Sequence, residues 1–133
     1  MASLSFELVA PERVVFSGEV EAVLLPGTEG DMTILPGHAP LMTALKAGFV
    51  VVTTHPDEGR RVFVKGGFAE VNASGVVVLA ERATPLEDLT PEKLDGEIVH
   101  AQTVRDGSSD YAQKQEADAL IAQLEEAKEA LKF

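Results

Sequence analysis

From Leu4 to about Arg82, apolar and polar positions exchange over short distances. Leu4, Phe6 and Leu8 alternate with Ser5 and Glu7, the period of two expected of a strand with one buried face. Val20, Ala22 and Leu24 alternate in the same way with Glu19 and Glu21. Further strand-like stretches are Val14 to Phe16, Met32 to Leu35, Leu41 to Lys46, Phe49 to Thr54, Arg61 to Lys65, Phe68 to Val71 and Val76 to Arg82. Pro26-Gly27, Pro36-Gly37, Asp57-Glu58-Gly59 and Asn72-Ala73-Ser74-Gly75 punctuate them as turns. Many short β-rich runs separated by turns predict a sandwich or flattened barrel, not alternating β and α units.

Beyond Leu86 the period changes. Thr90-Pro91 is a helix start, with the threonine oxygen capping free amides and proline at the first helical position. Glu92 sits near the positive end of the helix dipole. Leu94, Ile98 and Ala101 follow at helical spacing. Asp106-Gly107-Ser108-Ser109 breaks this helix, and Ser108 or Ser109 is positioned to cap the next. In the second helix Ala117, Leu120, Ile121, Leu124 and Leu131 share one side, with Gln123, Glu126 and Lys128 on or near the other. The short connection predicts an antiparallel hairpin. The expected organisation is α+β, with a β-sandwich domain over 1–86 and a two-helix hairpin over 87–133, helical from about Pro91 to the end.

Composition narrows the function classes. Hydrophobic residues make up 45% and charged residues 25%, an ordinary core-forming balance. The 22 acidic residues outnumber the 11 basic ones, giving a net charge of −11 that disfavours nucleic acid and favours basic protein patches. With no cysteine, neither a disulfide framework nor a thiolate site is possible. Met1 to Phe6 lacks the basic and apolar succession of a signal or transit peptide, so neither is expected. The apolar runs are far shorter than the roughly 20 residues of a membrane helix, which predicts no direct membrane span.

The residues offer little chemistry. There is no phosphate loop, since Gly66-Gly67 leads into Phe68, and no nucleophile elbow around Ser17. His38, His55 and His100 are scattered without metal-ligand spacing. His38, in a Pro-Gly-His-Ala-Pro loop, reads as a histidine bonded to nearby backbone. Gly30 and Gly37 read as turn residues with positive φ. No catalytic residue, metal site or cofactor is expected. On residue patterns alone the chain is an acidic sandwich with a helical hairpin whose function stays open, a free-standing interaction module and a small hydrolase or ligand-binding enzyme included.

The run Leu24-Leu25-Pro26-Gly27-Thr28-Glu29-Gly30-Asp31-Met32-Thr33-Ile34-Leu35-Pro36-Gly37-His38-Ala39-Pro40-Leu41 resembles the signature of the epsilon subunit of F-type ATP synthases of the bacterial type. Phe16-Ser17-Gly18, Leu45-Lys46-Ala47-Gly48, Gly66-Gly67-Phe68-Ala69-Glu70-Val71 and the Asp110-Tyr111-Ala112 start of the second helix match as well. The resemblance implies a ten-stranded β-sandwich followed by two antiparallel helices, in a non-catalytic subunit of the rotor. It implies that the sandwich binds the gamma subunit and rests on the polar loops of the c-ring. The c-ring loop then maps onto Glu29, Gly30 and Asp31, with His38 nearby. The resemblance further implies a hairpin that reaches the alpha and beta subunits when extended, restraining hydrolysis. It implies a peripheral position on the cytoplasmic face of the bacterial inner membrane. Some family members bind ATP through a Leu-Asp-x-x-Arg-Ala motif. Here Leu94 and Asp95 are followed by Ile98 and Val99, so the guanidinium that would pair with phosphate is missing and Asp95 is left as a remnant.

Overall fold

Among the described residues of the computed structural model, 3–55 and 58–131, ten strands precede two α-helices. The strands are β1 (Leu4–Ala10), β2 (Arg13–Val20), β3 (Ala22–Gly27), β4 (Gly30–Ile34), β5 (Leu41–Leu45), β6 (Gly48–His55), β7 (Glu58–Val64), β8 (Gly67–Asn72), β9 (Gly75–Ala80) and β10 (Ala83–Pro85). A single 3-10 turn, Leu86–Asp88, leads to α1 (Pro91–Gly107) and α2 (Tyr111–Ala130). The chain divides into two compact units, Met1–Leu86 and Glu87–Phe133. The α+β class and the sandwich-then-hairpin order are those expected.

The strands form one curled sheet in the order β10-β7-β6-β3-β5-β8-β9-β1-β2, with β4 attached to β3. Neighbours are antiparallel, except that β1 lies parallel to β9, with Ser5 opposite Gly75 and Val9 opposite Leu79. The alternation of β1 sends Leu4, Phe6 and Leu8 inward, where they meet Val23, Leu25, Ile34, Val50, Val52 and Val78 in one core. Phe6 and Phe16 close one side of it, their ring centroids 5.6 Å apart. At the β8–β9 turn, Asn72 Oδ1 accepts hydrogen bonds from Ser74 N (2.9 Å) and Gly75 N (3.1 Å), so one side chain fixes the reversal.

Several sequence expectations are corrected. Val20, Ala22 and Leu24 do not share a buried face: Val20 ends β2, the chain bends at Glu21, and the inward residues of β3 are Val23 and Leu25. The bend shifts the alternation by one position, and a one-residue shift exchanges the two faces. Pro26-Gly27 is buried strand, not turn, and the reversal falls on Thr28-Glu29. Proline is tolerated there because its carbonyl, the one backbone group it keeps, accepts from Lys46 N at 3.0 Å. The second helix is capped by Asp110, whose carboxylate accepts from Ala112 N at 2.9 Å, while Ser108 caps the end of α1. The three-residue β10, paired with β7, has too few positions to show a period. Of the expected turn at Asp57-Glu58-Gly59, Asp57 lies outside the described residues, and Glu58 and Gly59 belong to β7. The expected helical end at Lys132 and Phe133 also lies outside them.

Two glycines respond in opposite ways to the same change. Gly67 has φ +133°, and a Cβ there would run into Leu79 O and come within 2.9 Å of Ala80 Cα, both backbone. Gly96 lies in α1 with nothing within 4 Å of an added Cβ. Gly67→Ala is expected to destabilise the chain by more than about 2 kcal/mol, through strain and clash together. Gly96→Ala is expected to stabilise the helical unit by about 0.5–1 kcal/mol. Thermal melts followed by circular dichroism check both.

Candidate functional site

The signature run folds into the β3–β4 hairpin and the loop after it. Gly27 lies opposite Gly30, and a Cβ on Gly27 would approach Gly30 O to 2.8 Å, so only glycine lets the two strands meet this closely at the turn. Gly30 itself has φ +135°, which favours glycine. The base of the turn is tied to its neighbour: Thr28 N donates to Ala44 O (2.9 Å) and Lys46 N to Pro26 O (3.0 Å). These bonds hold the tip as a fixed projection. Glu29 and Asp31 stand exposed on it, side by side with half-buried Gly30.

His38 does not join them. β4 runs from Gly30, beside the tip, to Ile34, opposite Val23, and the His38 loop begins beyond that far end. Four strand steps of about 3.3 Å, about 13 Å in all, separate the two ends of β4. A strand therefore lies between His38 and the tip that carries Glu29, Gly30 and Asp31. His38 is tied to backbone as expected, its Nδ1 lying 2.7 Å from Ala39 O, while its own N–H donates to Leu35 O at 3.1 Å. Gly37 takes the positive φ, 81°, that this turn requires.

In the helical unit Thr90 caps α1, its hydroxyl accepting from Lys93 N at 3.1 Å. Leu94, Ala101, Ala117, Ile121, Leu124 and Ala127 are the buried residues of the two helices. Leu120 is half-buried, as is Ile98. Asp95, the motif remnant, accepts from Lys128 Nζ of α2 at 2.8 Å. Arg105 bridges to Asp118 at 3.1 Å and to Asp106 at 3.1 Å, and these two carboxylates raise its pKa further, the Asp118 hydrogen bond most. Sequence reading missed both inter-helix pairs. Their signal was the hairpin itself: Asp95–Lys128 and Arg105–Asp118 are centred on the same point, between Tyr111 and Ala112, so one antiparallel register accounts for both.

The geometry is that of a β-sandwich with a glycine-built acidic tip, followed by a salt-bridged helical hairpin. Comparison with known proteins identifies its kind. Residues 3–86 match the family model described as ATP synthase, Delta/Epsilon chain, beta-sandwich domain. The chain is 49% identical over 108 residues to the ATP synthase epsilon chain of Parvibaculum lavamentivorans, covering 80% of this chain and 82% of that one. It is 41% identical over 124 residues to that of Maricaulis maris, covering 92% and 91%. Its fold matches a chain in the cryo-EM structure of the Euglena gracilis mitochondrial ATP synthase with a TM-score of 0.71 at 26% identity, covering 98% of this chain and 82% of that one. The chain belongs to the ATP synthase delta/epsilon family, as an epsilon-type, non-catalytic subunit.

Among the described residues no helix is long and apolar enough to cross a membrane. The Asp95–Lys128 pair is partly solvated, so its coupling energy is expected to be under about 1 kcal/mol and to fall with added salt. A double-mutant cycle of Asp95→Asn and Lys128→Met, read from thermal melts at low and high salt, measures it.

Proposed function

We propose that the chain couples proton flow to ATP synthesis as a rotor subunit, its sandwich bound to the gamma subunit and its β3–β4 tip resting on the polar loops of the c-ring. The observation that carries this reading is the tip: Glu29 in the turn and Asp31 at the start of β4 are exposed, and backbone hydrogen bonds to Ala44 of β5 and from Lys46 just after it hold the base of the turn. A rigid acidic tip is suited to meeting basic or amide groups on a partner loop, a contact that fixes register more than affinity. The likeness to a chain of an assembly solved together with its c-ring supports it. The bacterial relatives support a peripheral position on the cytoplasmic face of the inner membrane. Asp31→Arg is expected to lower proton-driven ATP synthesis in reconstituted membranes while changing the stability of the isolated chain by less than about 0.5 kcal/mol. Unchanged synthesis would remove Asp31 from the contact.

The hairpin reads as a weak restraint on hydrolysis. Residues 110–133 carry three lysines against six carboxylates, a net −3, with no arginine. Docking against acidic surfaces of the alpha and beta subunits would bring like charges together. One of the three lysines, Lys128, is already engaged by Asp95. Deleting residues 87–133 is expected to raise ATP hydrolysis by the soluble head less than about threefold, equivalent to roughly 0.65 kcal/mol of barrier. A release of tenfold or more, at low or physiological salt, would overturn this. With Ile98 and Val99 in the motif and Asp95 tied to Lys128, calorimetry is expected to detect no tight ATP binding to the isolated chain.

A further inference from the structure

The chain has five arginines, and three of them are engaged where they stand. Arg60 stacks 5.8 Å above the centre of the Phe16 ring, Arg61 stacks 5.1 Å above that of Phe49, and Arg105 is bridged to Asp106 and Asp118. Among the described residues, no hydrogen bond or ion pair engages the guanidinium of Arg13 or Arg82. These two meet in one place. A cleft of about 370 Å³ opens at the end of the sandwich, where the β1–β2 turn faces the residues that lead into β10, and both arginines line it. Pro11, Glu12, Glu81 and Thr84 line it with them. Its walls are fixed by backbone bonds: Glu81 N donates to Gly66 O at 3.2 Å, Lys65 N donates to Arg82 O at 3.0 Å, and Ala10 pairs with Arg13 across the turn. The Glu81 carboxylate lies over Gly66, where an added Cβ would come within 3.2 Å of Oε2, and not on either guanidinium.

We propose that this cleft binds a small phosphate monoester that also carries an ammonium group. The phosphate sits between Arg13 and Arg82, and the ammonium is received by Glu12 and Glu81. The chemistry of the walls selects this ligand. One guanidinium fork satisfies two oxygens, so a carboxylate is served by a single arginine, whereas the three free oxygens of a phosphate monoester engage two. The two glutamates oppose a bare anion, but an ammonium on the same molecule turns that opposition into a second attraction. Half-buried Thr84 adds a hydroxyl that either donates or accepts. A nucleotide does not suit these walls, since no aromatic side chain lines the cleft to stack on a base. Size agrees with a small ligand. At about 30 Å³ per water the cleft holds about a dozen waters, near the lower end of the volumes usual for ligand sites. The binding is independent of the rotor role proposed above.

Phosphoethanolamine is the probe, titrated into the full chain and followed by amide chemical shifts, with inorganic phosphate, ethanolamine and β-alanine measured alongside. It is expected to shift the amides of Glu12, Arg13, Glu81 and Arg82 with a Kd of about 1 mM or below. Each of the other three compounds is expected to bind at least about tenfold more weakly, since each lacks part of the matched charge. Arg13→Gln and Arg82→Gln are each expected to raise the Kd of phosphoethanolamine at least about tenfold. Lys114→Gln, the same loss of charge on exposed α2, is expected to leave it within about twofold. The carboxylates give a signature that misfolding does not imitate. Glu12→Gln combined with Glu81→Gln is expected to weaken phosphoethanolamine at least about threefold while tightening inorganic phosphate. No saturable shift up to about 10 mM would overturn the inference. So would binding that both arginine variants leave unchanged, or equal binding of phosphate or β-alanine. Retention of the chain on phosphatidylethanolamine vesicles, lost in Arg13→Gln, would give the cleft to a lipid phosphodiester and overturn the assignment to a monoester.

Discussion

The parallel pairing of β1 with β9 is the constraint on which the sandwich depends. It joins the start of the sequence to its ninth strand and sets the positions of β2, β1, β9 and β8 relative to one another. The pairing is possible because Gly75 has no side chain: a Cβ there would collide with the Ser5 carbonyl across the ladder. The register is equally strict, because a slip of one residue would turn Phe6 and Leu8 outward and Glu7 inward. The same slip would part Leu79 from Val9, which meet only in this alignment. Core and outer face are thus two sides of one register.

The strand order also leaves the β3–β4 hairpin to the side of the main sheet. β4 pairs with β3 alone, off the path of the main sheet. A lone outer strand is ordinarily mobile at its turn. Here the bonds from Thr28 and Lys46 fasten the base of the turn to β5, and glycines at 27 and 30 let the two strands close tightly. Negative charge is therefore carried on a supported turn whose base is hydrogen-bonded to the neighbouring strand.

Much of the fold was legible in local pattern, and most of the site was not. The alternation of Leu4, Phe6 and Leu8 and the Thr90-Pro91 helix start were readable because each depends on residues within one element. The phase of β3 was not, because the bend at Glu21 leaves no glycine or proline to mark it. Pro26-Gly27 misled for the opposite reason: residues that usually signal turns here serve a close strand approach. His38 seemed close to Asp31 because sequence distance ignores the length of β4. The outward row of Val9, Val14, Phe68 and Leu79 was invisible, since these residues are brought together only by pairing across strands. Every position from Val76 to Ala80 is apolar, and yet Val77 and Leu79 are exposed.

The helical unit is held by its apolar seam more than by its ion pairs. Three of the six buried positions of its helices are alanine, and Leu94, Ile121 and Leu124 supply the bulk. Full burial of one such large side chain contributes about 1.5–3 kcal/mol before ordering entropy is subtracted, whereas a solvated ion pair contributes under about 1 kcal/mol. The seam therefore decides whether the two helices stay together, and the pairs Asp95–Lys128 and Arg105–Asp118 decide chiefly in which register they do so. Alanine allows the helices to lie close but adds little burial, so separating them exposes only three large side chains. Solvent cannot compensate that exposure. A partner that opened the hairpin would have to offer apolar pockets for Leu94, Ile121 and Leu124, and charge alone would not suffice. Opening this unit thus requires hydrophobic complementarity first, with the acidic surface setting which molecules can come near enough to provide it.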